Sequence, residues 1–326
     1  MAGVCTTWLG HESINARRKT PEPAQAAPST GSLPMIRAAG RGLRETIGCG
    51  DTICRMDTII AARHWQDLAW TDFAALPEDA VAVLPIAAIE QHGPHLPVSV
   101  DATINAGILA RALDLVPADR AVLALPMQSV GLSVEHLRFP GTLTLSAETL
   151  IAVLTEIGRS VLRAGVRRLV FLNSHGGQPQ PIDLAARRLR ADGMFAVNCH
   201  WGRLGLPPSV TLDPLEKRHG FHGGLVETSL MLHLRPDLVR MEHARDFRSA
   251  WIAQEERFSV LTPEGSVSFG WETQDLHPAG ALGNAGAASA EAGRAILEHA
   301  AARLVQLWDE VRRLDVAAWM RDGPAV

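Results

Sequence analysis

From about residue 80 to residue 234, short continuous apolar runs alternate with stretches in which apolar positions recur every three or four residues. The first pattern suits a strand buried on both faces, and the second a helix with one apolar stripe. Strands are predicted at Val81–Ile89, Ala121–Leu125, Arg168–Leu172 and Met194–Cys199. Helices are predicted at Ala102–Leu115, Ala147–Ala164, Pro181–Ala191 and Leu225–Leu234, with a long one from Glu291 to Val311. Asp101 and Ser146 stand where N-caps belong, because a side-chain oxygen there can accept from the unpaired amides of a first turn. Strands alternating with helices imply βαβ units and a largely parallel sheet. Residues 244–285 are irregular, with Trp251, Phe258, Phe269 and Trp271 among polar residues, and suit a lid or an interface.

Residues 1–55 follow neither period and are rich in Pro, Gly, Ser, Thr and Arg. They are expected to be a disordered extension or an over-long assignment of the start, with residues 56–326 as the folded domain. At 326 residues and 47% hydrophobic, the chain can bury a core. A net charge of -4 gives no whole-chain positive field, so neither nucleic acid nor a membrane surface is the expected partner, and a small molecule fits better. Three of the four cysteines, Cys5, Cys49 and Cys54, lie in the doubtful N-terminal segment. The fourth, Cys199, reads as a small buried apolar residue. With no disulfide framework, no apolar run of membrane-helix length and no secretory core, a cytoplasmic location is expected.

Chemistry concentrates in three segments. Glu90-Gln91-His92-Gly93-Pro94-His95-Leu96-Pro97, followed by Asp101, comes directly after an apolar strand. In an extended chain residues two apart share a face, so Glu90 and His92 would meet at one point. Imidazole with carboxylate and no thiolate suits Zn, Mn or Fe. Asn173-Ser174-His175-Gly176-Gly177 also begins at a strand end, and ligands of open α/β sheets gather at the carboxyl ends of strands. In His219-Gly220-Phe221-His222-Gly223-Gly224-Leu225-Val226-Glu227, Glu227 falls in the first turn of a helix and His222 in the loop before it. Each segment also has a plainer reading: a histidine after a strand can be a hydrogen-bonded structural residue, and Glu227 a charge placed to suit the helix dipole. His95, His219 and His277 are read as structural or surface residues.

Together these motifs resemble the creatininase family, over most of Met56 to about Val311. The family's Glu-x-His-Gly-x-His-Leu-Pro motif with a following Asp is matched by Glu90, His92, Gly93, His95, Leu96, Pro97 and Asp101. Its His-Gly-Gly motif is matched by Asn173, His175, Gly176 and Gly177, with Ser174 where Gly is more common. Glu135, His136, Phe139, Pro140, Gly141 and Thr142 match a further motif, and His222, Gly223, Gly224, Glu227, Thr228 and Ser229 the last. The resemblance implies a single three-layer α/β/α domain with a mostly parallel central sheet. It also implies a site for two divalent metal ions that hydrolyses C–N bonds, often in cyclic amides or formamides, and a ring-shaped homo-oligomer such as a hexamer. One position departs: creatininase proper carries a metal-binding Glu where this chain has Gly177, which leaves Glu227 as the candidate replacement.

The expected chemistry is therefore attack on an amide by a water held between two ions, Zn first and Mn or Fe as alternatives. Asp101 would bridge them, Glu90 and His175 completing one site and His92 and Glu227 the other. His222 would accept the proton and return it to the leaving nitrogen, and His136 and Trp201 would contact substrate. Two rivals remain at this point: a maturation peptidase acting on a small peptide, and a non-catalytic metal-binding scaffold, which Gly177 would permit.

Overall fold

The computed structural model describes residues 62–321, so the expected extension over residues 1–55 and three of the four cysteines lie outside the described residues. Four parallel strands form the central sheet: β1 (Val81–Ile86), β2 (Val122–Ala124), β3 (Arg168–Asn173) and β4 (Phe195–His200), in the spatial order β2-β1-β3-β4. Val81 pairs with Val122 on one side and Arg168 on the other, and Arg168 pairs with Phe195. The connecting helices are α1 (Val100–Leu115), α2 (Ala147–Arg163) and α3 (Pro179–Ala191). After β4 come α4 (Pro214–His219), α5 (Leu225–Leu234), the short α6 (Thr273–Leu276) and the long α7 (Ala290–Arg313).

The two-residue strand period sorts the core. Val81, Val83, Val170 and Leu172 face one side, where Ile104 and Ile108 of α1, Leu230 of α5 and Leu304 of α7 close over them. Ala82, Leu84, Ile86 and Phe171 face the other, under Leu150 and Leu154 of α2 and Ile182 and Leu189 of α3. Every residue of β1 and β3 is buried, as the continuous apolar runs required. The result is the expected three-layer α/β/α arrangement. Helices α5 and α7 cross so closely at Gly293 that a Cβ there would collide with the Ser229 carbonyl.

Two local expectations are corrected. Asp101 is not an N-cap: α1 begins at Val100 with Ser99 in the cap position and no side-chain cap, and Asp101 lies inside the first turn. Its carboxylate is turned inward instead of back onto the helix amides. Ser146 does cap α2, accepting from the Thr149 amide at 3.2 Å. Strand β1 stops at Ile86, three residues before the predicted end at Ile89, because the chain turns away and Ile89 bridges antiparallel to Leu143. Among the described residues no helix is long and apolar enough to cross a membrane.

Candidate metal centre and its cavity

Because all four strands run the same way, the segments after β1 and β3 leave one edge of the sheet, and Ile86 and Asn173 are paired in register there. Glu90 and His92 converge through a turn, not through a continued strand: His92 Nδ1 lies 3.0 Å from the Glu90 carbonyl, and His92 Nε2 3.9 Å from Glu90 Oε1. His175 is fixed by Asn173, whose Oδ1 accepts from the His175 amide at 3.0 Å and whose Nδ2 donates to the His175 carbonyl at 2.8 Å. The Ser174 hydroxyl donates to the Asp101 carbonyl at 2.9 Å, tying the β3 loop to the start of α1. Glu227 lies in the first turn of α5 and accepts from the Gly223 amide at 2.6 Å.

These loops bring all five predicted ligand residues together. Glu90, Asp101 and His175 offer donor atoms within 4.8 Å of one another, as do His92, Asp101 and Glu227, and also Glu90, His92 and His222; Asp101 is the residue shared by the two groups made only of predicted ligands. His175 Nδ1 is 3.0 Å from Glu90 Oε1 and 3.8 Å from Asp101 Oδ2. His92 Nε2 is 3.7 Å from Asp101 Oδ1 and 3.8 Å from Glu227 Oε2. Glu90 Oε2, His92 Nε2 and Asp101 Oδ2 are buried and make no hydrogen bond, while Glu90 Oε1 faces the His175 ring. Each such atom costs about 1–3 kcal/mol unless something satisfies it. Clustered nitrogen and oxygen donors of this kind fit a divalent cation of the Zn, Mn or Fe type.

The electrostatics say the same. Burial, then the charge of Glu90, pushes Asp101 well above the usual carboxylate range. Burial, opposed by the Gly223 amide but reinforced by Glu90, pushes Glu227 up to about 7. Burial also works to raise Glu90, but the imidazoles of His175, His136 and His92 outweigh it and hold it low. His92 is pushed down to about 3 by burial and by His222, so its ring is neutral and free to ligate. Carboxylates that suppress one another's ionisation are released together by a cation.

Above the cluster is a compact cavity of about 90 Å³ whose walls include His136, His175, His222, Glu135, Phe221 and Trp271. His222 stacks on His136 at 4.3 Å between ring centroids and lies 4.2 Å from the ring of His92. Gly177 acquires a reason: a Cβ there would collide with the Glu135 carboxylate, which leans over the loop to 3.3 Å from His175 Nε2. The motif carried Glu135 in plain view, but no local rule linked it to residue 177. Glu264 and Trp271, which also line the cavity, come from the irregular segment, so that part of it forms a wall of the site. Trp201 is not among the lining residues. It is 5% exposed and packs in the core beneath α7. Trp271 supplies the indole at the cavity instead. His95 is structural, with Nε2 3.0 Å from both the Gly223 carbonyl and the Thr228 hydroxyl. Cys199 is buried, and burial pushes its thiol up to about 11.

An α/β sheet that gathers unsatisfied carboxylates and imidazoles at its carboxyl edge, beneath a small cavity, defines a hydrolase of the metal-dependent amidohydrolase class. The family model described as creatinine amidohydrolase matches residues 66–308, and the chain belongs to the creatininase family. It is 36% identical over 247 residues to the mycofactocin precursor peptide peptidase of Mycobacterium tuberculosis, covering 73% of this chain and 85% of that one. It is 31% identical over 250 residues to the creatinine amidohydrolase of Pseudomonas putida, covering 71% of this chain and 90% of that one. A solved creatininase structure with manganese superposes with a TM-score of 0.61 at 29% identity, over 78% of this chain and 100% of that one.

Proposed function

We propose that this hydrolase cleaves the C–N bond of a small cyclic amide or formamide with two divalent ions bound, Zn first and Mn or Fe as alternatives. The observation that carries the reading is Asp101, which belongs to two donor groups at once. Asp101 would bridge the ions, Glu90 and His175 would complete one site, and His92 and Glu227 the other. When bound, such a pair polarises a carbonyl and lowers the pKa of a water toward neutrality.

The chain's own groups do the rest. His222 donates from Nε2 to the Gln91 carbonyl at 2.8 Å, which leaves Nδ1 as the basic nitrogen, 3.8 Å from Glu90 Oε1. Nδ1 takes the proton of the attacking water and returns it to the leaving nitrogen. His136 contacts the substrate from the cavity wall, of which Trp271 and Glu264 are also part. The compactness of the cavity supports a small amide. The peptidase reading is supported by the 36% identity to a precursor peptidase. Hydrolysis of a small peptide with no turnover of formamides or cyclic amides would favour it.

We also read residues 56–326 as one catalytic domain working in the cytoplasm, a location supported by the free thiol of Cys199. Self-association into a ring such as a hexamer is supported by the exposed apolar side chains of Val134, Leu137 and Leu143. The test of the central reading is metal content per chain after purification without chelator, measured also on His175→Ala. About two equivalents, falling in the variant, are expected. No bound metal after reloading with Zn, Mn and Fe overturns the reading.

A further inference from the structure

Gln91 has no part in the proposed ligand set, yet its amide reaches both cavity histidines from a 7% exposed position. Two backbone groups decide which end of that amide is which. The Gly93 amide donates to one end at 2.9 Å, so that end is Oε1. The other end lies 2.7 Å from the Gly280 carbonyl and must be the NH₂ group. The flipped amide would set donor against donor at Gly93 and acceptor against acceptor at Gly280.

One hydrogen of that NH₂ is taken by Gly280. The other points at His136 Nδ1, 2.8 Å away. An amide nitrogen only donates, so Nδ1 accepts and the ring proton of neutral His136 is on Nε2. His222 does not compete for that hydrogen, although its Nε2 is 3.3 Å from Gln91 Nε2, because the same nitrogen already donates to the Gln91 carbonyl. The Thr273 hydroxyl, 2.7 Å from His136 Nδ1, fits the same assignment by donating its one proton to that nitrogen and not to the Glu135 carbonyl 3.0 Å away. His136 is 2% exposed and lines the cavity. Its Nε2 lies 3.4 Å from Glu90 Oε1 and 4.0 Å from Glu135 Oε1.

We propose that His136 Nε2–H is the donor that receives the oxyanion formed at the scissile carbonyl, and that Gln91 is the positioning residue holding His136 in that tautomer. This rests on the amide-hydrolase reading. As the water oxygen bonds to the carbonyl carbon, the π pair moves onto the carbonyl oxygen, which accepts a hydrogen bond from Nε2–H with no proton transferred. When the C–N bond breaks, that pair returns to re-form the carbonyl. The proton of the water travels through His222 to the leaving nitrogen, and His136 ends as it began, neutral.

The test uses the metal-loaded full chain labelled with ¹⁵N-histidine, in which long-range ¹H–¹⁵N correlations distinguish the two tautomers. The His136 ring is assigned by its absence from His136→Phe. Wild type is expected to show Nε2–H. Gln91→Glu, whose carboxylate only accepts, is expected to show Nδ1–H; Gln91→Met, which removes the donor without adding a charge, tests the same contact if Gln91→Glu does not fold. Losing one oxyanion donor is expected to lower kcat by ~10²- to 10³-fold in His136→Phe, with KM within about threefold and metal content unchanged. His136→Gln, which restores an N–H near the Nε2 position, is expected to recover part of that loss. Nδ1–H in a wild type that cleaves amides overturns this inference alone, and so does loss of metal from His136→Phe, which would make the ring a support for Glu90. A wild type that holds Nε2–H and cleaves no amide overturns the hydrolase reading, and the role of His136 falls with it.

Discussion

The two ends of one sheet treat buried charge in opposite ways. At the amino end, the guanidinium of Arg168 donates to the carbonyls of Glu78, Val311 and Leu314 at 2.6–3.1 Å. At the carboxyl end, Glu90 is wholly buried and its Oε2 has no hydrogen-bond partner. Burial alone therefore does not mark a functional group. What separates the ends is whether the chain satisfies its own polar atoms, and where it leaves several of opposite type side by side, it is shaped for something it does not itself contain.

That contrast breaks if substitutions at the carboxyl end cost stability and those at the amino end cost chemistry. Asp101→Asn is expected to give the largest effect, a loss of ~10³-fold or more in turnover with loss of bound metal, while the metal-free protein melts no lower than wild type. Calorimetry together with metal analysis checks both halves. Arg168→Ala is expected to lower stability by about 3 kcal/mol in denaturant titrations while metal content stays at the wild-type level, since three charged hydrogen bonds are lost with no contact to the cavity. Gly177→Ala sharpens the comparison inside the site. Its Cβ displaces Glu135 and presses on His175 Nε2, and a fall of ~10- to 100-fold in kcat with weakened metal binding is expected.

The smallest expected effect is on the pH dependence of the metal-free protein. Glu227 is raised to about 7 in the folded chain, so the fold binds a proton there that the unfolded chain has already released. Stability from this source is fully present at acidic pH and is lost as pH rises through about 7. His92 and His136, pushed down to about 3 and about 2, act in the opposite direction only below their ordinary value of 6.5. Above that value Asp101 and His175, both held well above their ordinary values, act in the same direction as Glu227. The metal-free protein is expected to lose ~1 kcal/mol or more between pH 6.5 and 8.5, and metal to remove the dependence. A flat profile without metal would show that Glu227 ionises freely.

The sheet and its helices were legible because period and burial are local properties: Leu225–Leu234 matches its prediction residue for residue, and the four strands lie within a few residues of theirs. The ligand candidates were legible for a related reason. Strand ends and helix starts are where a parallel sheet collects side chains, and Glu90, His92, Asp101, His175 and Glu227 all stand at such points. Gln91 and Trp271 were not legible as parts of the site, and Glu135 was legible through its motif but not through its contact with residue 177. Gln91 matters through contacts to Gly280 and His136 that are 189 and 45 residues away in the chain, and Trp271 arrives on a segment with no period to follow. Trp201 misled because an indole after a strand looks the same in sequence whether it turns toward the cavity or into the core.

Asp101 couples two groups whose other members stretch from residue 90 to residue 227, and α5, which bears Glu227, packs against α7 through Gly293. A nascent chain emerging from the ribosome would therefore expose the first carboxylates long before their last partner is in place. Until the segment Ala290–Arg313 has been made, the helix carrying Glu227 lacks the surface on which it rests. Loading with cations belongs after synthesis, and a prematurely terminated chain would hold them poorly however much of the sheet had already formed.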